Sequence, residues 1–242
     1  MEESAPRMAA ASGDALSEGA KTLNEYAYQR LRKDIISGVL APGSKLRIEH
    51  LRATYQVGSS TLREALTLLL ADALVIAEGQ RGFWVAPISI DDLQDITRMR
   101  KMMATLALRE SIKNGDDEWE AGIVAAFHRL SRVEDRLAAE AAEVADDWED
   151  RNREFHEAAI AACTSRWTRH FRAILYSQSE RYRRFSLVAM NGRRDVHAEH
   201  QAIMEATLAR NADLACRLTE DHIDNTLLSM THMLEIPVTV AR

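Results

Sequence analysis

From Ile88 to Ile236 the sequence has no proline and only three glycines, Gly115, Gly122 and Gly192. Proline removes a backbone donor and glycine costs the most backbone entropy, so these two residues are the usual interrupters of helices. A stretch this long with so few breaks, and with apolar residues at helical spacing, buries its apolar surface as an all-α bundle. The spacing predicts helices over 90–113, 117–143, 146–163, 165–190, 195–210 and 213–234.

Before Pro87 the pattern is different. Leu23–Ser37 carries a helical stripe and Gly38 ends it. Pro42-Gly43 marks a turn, and Ile48–Tyr55 reads as a second short helix. In VGSSTLREALTLLLADA, Leu62, Ala65, Leu66, Leu69, Leu70 and Ala73 fall on one face of a third helix. Ser59 or Ser60 is expected to cap it. Leu74–Ala77 and Phe83–Ala86 are β-like runs joined by EGQRG, which reads as a hairpin. Three helices and a hairpin is the order of a winged helix-turn-helix. Its third helix would offer Ser59, Ser60, Thr61 and Arg63 to the major groove of double-stranded DNA. Arg81 and Gly82 at the hairpin tip, and Arg47, are further candidates for DNA contact. The expected organisation is a disordered tail over 1–20, a winged helix-turn-helix over 21–88 and an all-helical domain over 89–242. The fold class is thus mostly α.

The net charge of −6 conceals an asymmetry: residues 21–90 carry nine bases and six acids, while residues 1–20 carry one base and four acids. A basic segment joined to acidic ones suits a nucleic-acid reader attached to another function. Two cysteines, Cys163 and Cys216, form no disulfide framework. The N-terminus has neither the basic flank nor the apolar core of a signal peptide, and no apolar run spans a bilayer. A cytoplasmic protein without membrane contact is expected.

SGVLAPGSKLR, VGSSTLREAL and QRGFWVAPIS resemble, in order and spacing, segments of the GntR family of bacterial transcription regulators. The resemblance implies an operator-binding homodimer, with repression as the family's habit. Ser59 and Thr61 stand where the family usually has Arg and Pro. Serine cannot take both acceptors of a guanine as arginine does, so the family's common operator core does not carry over. The helical remainder resembles the FadR-like (FCD) branch, through NREFHEAAIAAC, AEHQAIMEATLARNADLA and DHI. In that branch an Asp or Asn and three histidines commonly hold a divalent metal beside a carboxylate effector. The matching positions are Asn152, His156, His200 and His222. GDDEWEA and FHEAAIAAC also resemble carbon-starvation regulators of glutarate and 4-aminobutyrate catabolism, which implies a dicarboxylate such as glutarate.

The residues themselves bear on that site. Asn152 and His156 share the apolar face of their helix with Trp148, Phe155 and Ile160. Burying such groups without partners costs about 1–3 kcal/mol each, so something must satisfy them. One inward histidine is usually a hydrogen-bonded core residue, whereas three with an asparagine favour a shared polar cavity. Imidazoles suit zinc or nickel. Asn in place of Asp removes a charged ligand, and a metal-free site remains the alternative. Arg98, Arg100, Arg181, Arg183 and Arg184 are candidates for an anionic effector, with Arg100 preferred because the family often has an arginine there. His197 is a candidate supporting residue, while His128, His170 and His232 carry no argument beyond filling. The competing reading is a helical metal-dependent enzyme with a fused DNA-binding module. It would need a general base, and Glu154 and Glu199 only adjoin ligand positions in sequence. No nucleophile–base pair or phosphate-cradling loop is present, so the protein is not expected to be an enzyme.

Overall fold

A computed structural model describes residues 20, 22–137, 140–187 and 194–234. The tail expected over 1–20 therefore lies almost wholly outside the described residues, as does the side chain of His232. The chain divides into two compact units, one ending at Pro87 and one beginning at Ile88.

In the first unit, α1 (Leu23–Ile36) starts where Thr22 Oγ1 accepts the Glu25 amide at 3.1 Å. It stops where Gly38 takes φ +81°, a conformation glycine adopts without penalty. Next comes a turn in which Ser44 N–H bonds Ala41 C=O, with Pro42 and Gly43 (φ +73°) as its central residues. That is a type II turn, which wants proline first and positive φ second. The turn leads into β1 (Lys45–Leu46), α2 (Ile48–Tyr55) and α3 (Ser59–Ala71). Leu62, Ala65, Leu66 and Leu69 of α3 are fully buried in a core with Ala27, Leu31 and Ile35 of α1. β2 (Val75–Ala77) and β3 (Phe83–Val85) form the expected hairpin, and β1 adds to it antiparallel, in the order β1-β3-β2.

Two local expectations are corrected. Neither Ser59 nor Ser60 caps α3; Gly58 is the N-cap, and Leu62 N–H bonds its carbonyl. Val57 is buried, which fixes the entry of the chain and moves both serines into the first turn. Ala73 is exposed rather than on the buried stripe, because α3 ends two residues earlier. Ala73 takes φ +55°, with its amide on Leu70 C=O and the Leu74 amide on Leu69 C=O. This is a Schellman ending, in which fully buried Leu74 supplies the hydrophobic contact.

The second unit has six helices among the described residues: α4 (Ile90–Asn114), α5 (Asp117–Leu137), α6 (Ala141–Ala159), α7 (Arg166–Leu187), α8 (Val196–Leu208) and α9 (Ala212–Leu234). α4 packs on α7 and α9, and α5 packs on α6 and α8. The core is built on Leu108, Ile112, Trp119, Ile123, Phe155 and Ile203. Burying a side chain such as Phe155 contributes about 1.5–3 kcal/mol. The break expected near 144–145 instead precedes Ala141. Val144 and Trp148, one turn apart, are both buried in that core, so α6 must already be helical at Val144.

Candidate functional site

α6, α8 and α9 bring three histidines to one point. His156 and Asn152 lie one turn apart on α6, His200 comes from α8 and His222 from α9. The His200 and His222 ring centres are 4.7 Å apart, and His156 stands 5.3 and 5.2 Å from them. One nitrogen from each ring lies within 4.8 Å of the other two. His200 Nδ1 meets Glu134 Oε1 at 2.7 Å, and His222 Nδ1 meets Glu199 Oε2 at 2.8 Å. A carboxylate oxygen accepts, so His200 Nδ1 donates to Glu134 and its Nε2 is the nitrogen left for another partner, whereas His222 Nδ1 has the Arg194 guanidinium at 3.2 Å as well as Glu199 beside it. His200 Nε2 is buried with no partner among the described residues. Asn152 is fixed by Nδ2 donating to Tyr176 Oη at 2.8 Å, and its Oδ1 is likewise buried and unpartnered. Burial, then the other two rings, holds His156 far below the ordinary imidazole value. Burial, then His200 and Arg194, does the same for His222. Both rings are neutral at neutral pH.

A cavity opens beside this cluster, lined by Asn152, His156 and His222 and by Arg100, Arg183 and Arg194. Arg183 donates to both oxygens of Glu149, at 3.1 and 2.8 Å. Burial lowers its guanidinium, but Glu149 outweighs that and raises it. Arg194 bonds Glu199, Thr226 and the His222 carbonyl. Arg100 differs: it donates to Ser179 Oγ at 2.7 Å and forms no ion pair among the described residues. Burial, then the neighbouring Arg183 charge, presses its guanidinium below the ordinary value. Charges withdrawn from water are normally paired, and Arg100, half-buried, has no anionic partner among the described residues. The other arginines raised from the sequence lie elsewhere. Arg98 is exposed and pairs with Asp95, Arg184 pairs with Glu180 and Asp146, and Arg181 bonds Gln178 without lining the cavity.

In the first unit, Ser60, Arg63, Arg81 and Arg47 are exposed, and Ser59, Thr61 and Gly82 are partly so. Ser59, Ser60, Thr61 and Arg63 occupy the first turns of α3, where Leu62, Ala65 and Leu66 turn the opposite face inward. Arg63 forms no ion pair or hydrogen bond through its side chain among the described residues, while Glu64 is held by Asn24 and by Ser60. Arg81 and Gly82 lie in the β2–β3 connection, where Gly82 takes φ +104°. Arg47 is the N-cap of α2.

Residues 23–85 match the family model for bacterial regulatory proteins of the gntR family, and residues 95–225 match the FCD domain. The chain is 45% identical over 207 residues to the HTH-type transcriptional regulator BphR of Paraburkholderia xenovorans, covering 86% of this chain and 84% of that one. It is 36% identical over 200 residues to the HTH-type transcriptional repressor GlaR of Escherichia coli, covering 81% and 90%. The chain belongs to the GntR family, with an FCD domain. The solved structure of E. coli McbR/YncC has the same fold, with a TM-score of 0.75 at 15% identity over 89% of this chain and all of that one. This GntR/FCD regulator is a DNA-binding transcription regulator, and the relatives it matches are regulators rather than enzymes. No described helix is long and apolar enough to cross a membrane.

The regulator's site fits a divalent ion. The two unpartnered acceptors, His200 Nε2 and Asn152 Oδ1, are what an ion would satisfy. Imidazoles 4.8 Å apart lie at most about 2.8 Å from a common centre, so they close to a metal–nitrogen distance near 2.1 Å by moving less than an ångström. Carboxylates bonded to the far nitrogens of two ligand histidines are the usual supports of such ions. Sequence reasoning missed Glu134 altogether. Its other oxygen is 3.1 Å from His197 Nδ1, so His197 and His200 share one carboxylate. Glu199 serves the next helix's histidine, His222, rather than its neighbour His200.

Proposed function

We propose that this regulator is a repressor that binds a palindromic operator as a homodimer and is released by a small carboxylate held in the helical domain. Ser59, Ser60, Thr61, Arg63, Arg47, Arg81 and Gly82 are the DNA-contacting set. The effector site is Arg100, Asn152, His156, His200 and His222. The observation that carries this reading is the half-buried guanidinium of Arg100, without a carboxylate partner among the described residues, beside three converging imidazoles. Asn152, His156, His200 and His222 would hold zinc or nickel, and the ion would supply a Lewis-acidic anchor for a carboxylate oxygen. Repression is supported by the relative named a transcriptional repressor. The domain division at residues 88–89 belongs to the same reading, with DNA contact on one side and effector binding on the other.

The test is a thermal-shift series of mono- and dicarboxylates, glutarate included, with and without chelator. A ligand that binds only the native state raises its stability with concentration. A shift that grows with glutarate and disappears with chelator supports the metal-bridged site. No response to any carboxylate in the presence of zinc contradicts it.

A further inference from the structure

Besides Arg100 and the His156 ring, Trp148 brings a donor to the cavity lining that is unspent among the described residues. Trp148 lines the same cavity as His156 and His222, is only 4% exposed, and its indole Nε1–H is buried without an acceptor among the described residues. Four further donors around it are used: Arg183 on Glu149, Arg194 on Glu199 and Thr226, Thr226 on the His222 carbonyl, and Ser229 on the Asn225 carbonyl. A buried indole N–H normally has a partner, because leaving it unmade forfeits a hydrogen bond.

Charge points to what the partner is. Arg183 and Arg194 are paired with Glu149 and Glu199; that leaves the positive charge of Arg100, which has no ion-pair partner among the described residues, and the negative charge of Glu134, which sits on His200. The residues are therefore neutral together, and a divalent ion on the histidines leaves two positive charges. A monoanion would leave one of them buried and unmatched, whereas a dianion cancels both.

We propose that Trp148 is the specificity residue of the effector site: its indole N–H receives the second carboxylate of a short dicarboxylate whose first carboxylate lies at Arg100 and the histidines. This inference rests on the effector reading given above. It adds the reason why a dicarboxylate would be chosen over a monocarboxylate of the same length.

Calorimetric titration of the zinc-loaded full chain with glutarate and with pentanoate tests it, in the wild type and in Trp148→Phe. Pentanoate has the same five-carbon chain without the second carboxylate. Wild type should prefer glutarate, and Trp148→Phe should lose about ten- to a hundred-fold in glutarate affinity, as for a hydrogen bond to a charged group. Its pentanoate affinity should hold within about twofold. A variant that keeps the full glutarate preference overturns the role of Trp148 and leaves the effector site standing. Failure of both acids to bind wild type overturns the two together. Should Trp148→Phe not fold, the indole ¹H–¹⁵N signals of wild type decide. The chain has four tryptophans, so the Trp148 signal can be assigned by elimination with Trp84→Phe, Trp119→Phe and Trp167→Phe. That signal should move downfield with glutarate and not with pentanoate, and an unmoved signal overturns the proposal.

Discussion

Glu134→Gln separates a site prepared for a cation from a cluster of core histidines. Glu134 is 4% exposed and accepts from His200 Nδ1 at 2.7 Å and from His197 Nδ1 at 3.1 Å. Burial raises its carboxyl, but the two imidazoles outweigh burial and hold it below the ordinary value, so it is ionised at neutral pH. Glutamine has nearly the same shape but only one acceptor oxygen. Its amide group must then face one of the two imidazoles as a donor. If it faces His200, that ring shifts its proton to Nε2 and loses the lone pair that now points at the cluster. If it faces His197, His200 keeps its tautomer but loses a charged partner. Losing support of this kind costs about 10–100-fold in metal affinity, or about 1.4–2.7 kcal/mol. The assay is zinc titration against a competing chelator, with thermal unfolding of the metal-free protein as the control for folding. Unchanged zinc affinity in a well-folded Glu134→Gln would refute the argument that the Glu134–His200 bond prepares a metal ligand.

Arg63→Ala should weaken binding to the regulator's own upstream DNA by about 1–3 kcal/mol in gel-shift titrations, with little change in Tm, because the side chain is exposed and unengaged. Gly115→Ala should destabilise the helical unit by about 1–3 kcal/mol in denaturant titrations, since a Cβ at that position overlaps the buried Trp119 indole. Alkaline unfolding should reflect Tyr28, whose hydroxyl donates to Asp72 at 2.5 Å. Burial, then Asp72, pushes its pKa from 10.0 to about 12. The folded state thus holds this proton more tightly than the unfolded chain, so the contribution is complete below pH 10 and fades as the pH rises towards 12. Tyr28→Phe should flatten that loss in pH-dependent stability curves.

The parts legible in the sequence were those written within one helix. The α3 stripe of Leu62, Ala65, Leu66 and Leu69, and the Asn152–His156 pair one turn apart, follow from a period of 3.6 residues. What joins helices was less visible. Glu134 meets His200 across 66 residues, and Glu199 meets His222 across 23. Periodicity gives the face of a helix but not its register against another. The break before Ala141 has no proline or glycine, so it shows only through the burial of Val144. β1 is two residues long, too short for any alternation to announce it. The α3 cap misled because serine and glycine adjoin there and both are favoured caps. The DNA-facing residues were legible as a polar face, but which bases they read depends on a partner the sequence does not describe.

The account depends on effector response and DNA contact residing in different residues. The most direct measurement is anisotropy of labelled upstream DNA titrated with the zinc-loaded regulator, with and without glutarate, for wild type and His156→Ala. The account predicts that His156→Ala binds DNA within about twofold of wild type and that glutarate no longer releases it. Release of His156→Ala by glutarate at the wild-type concentration would contradict it.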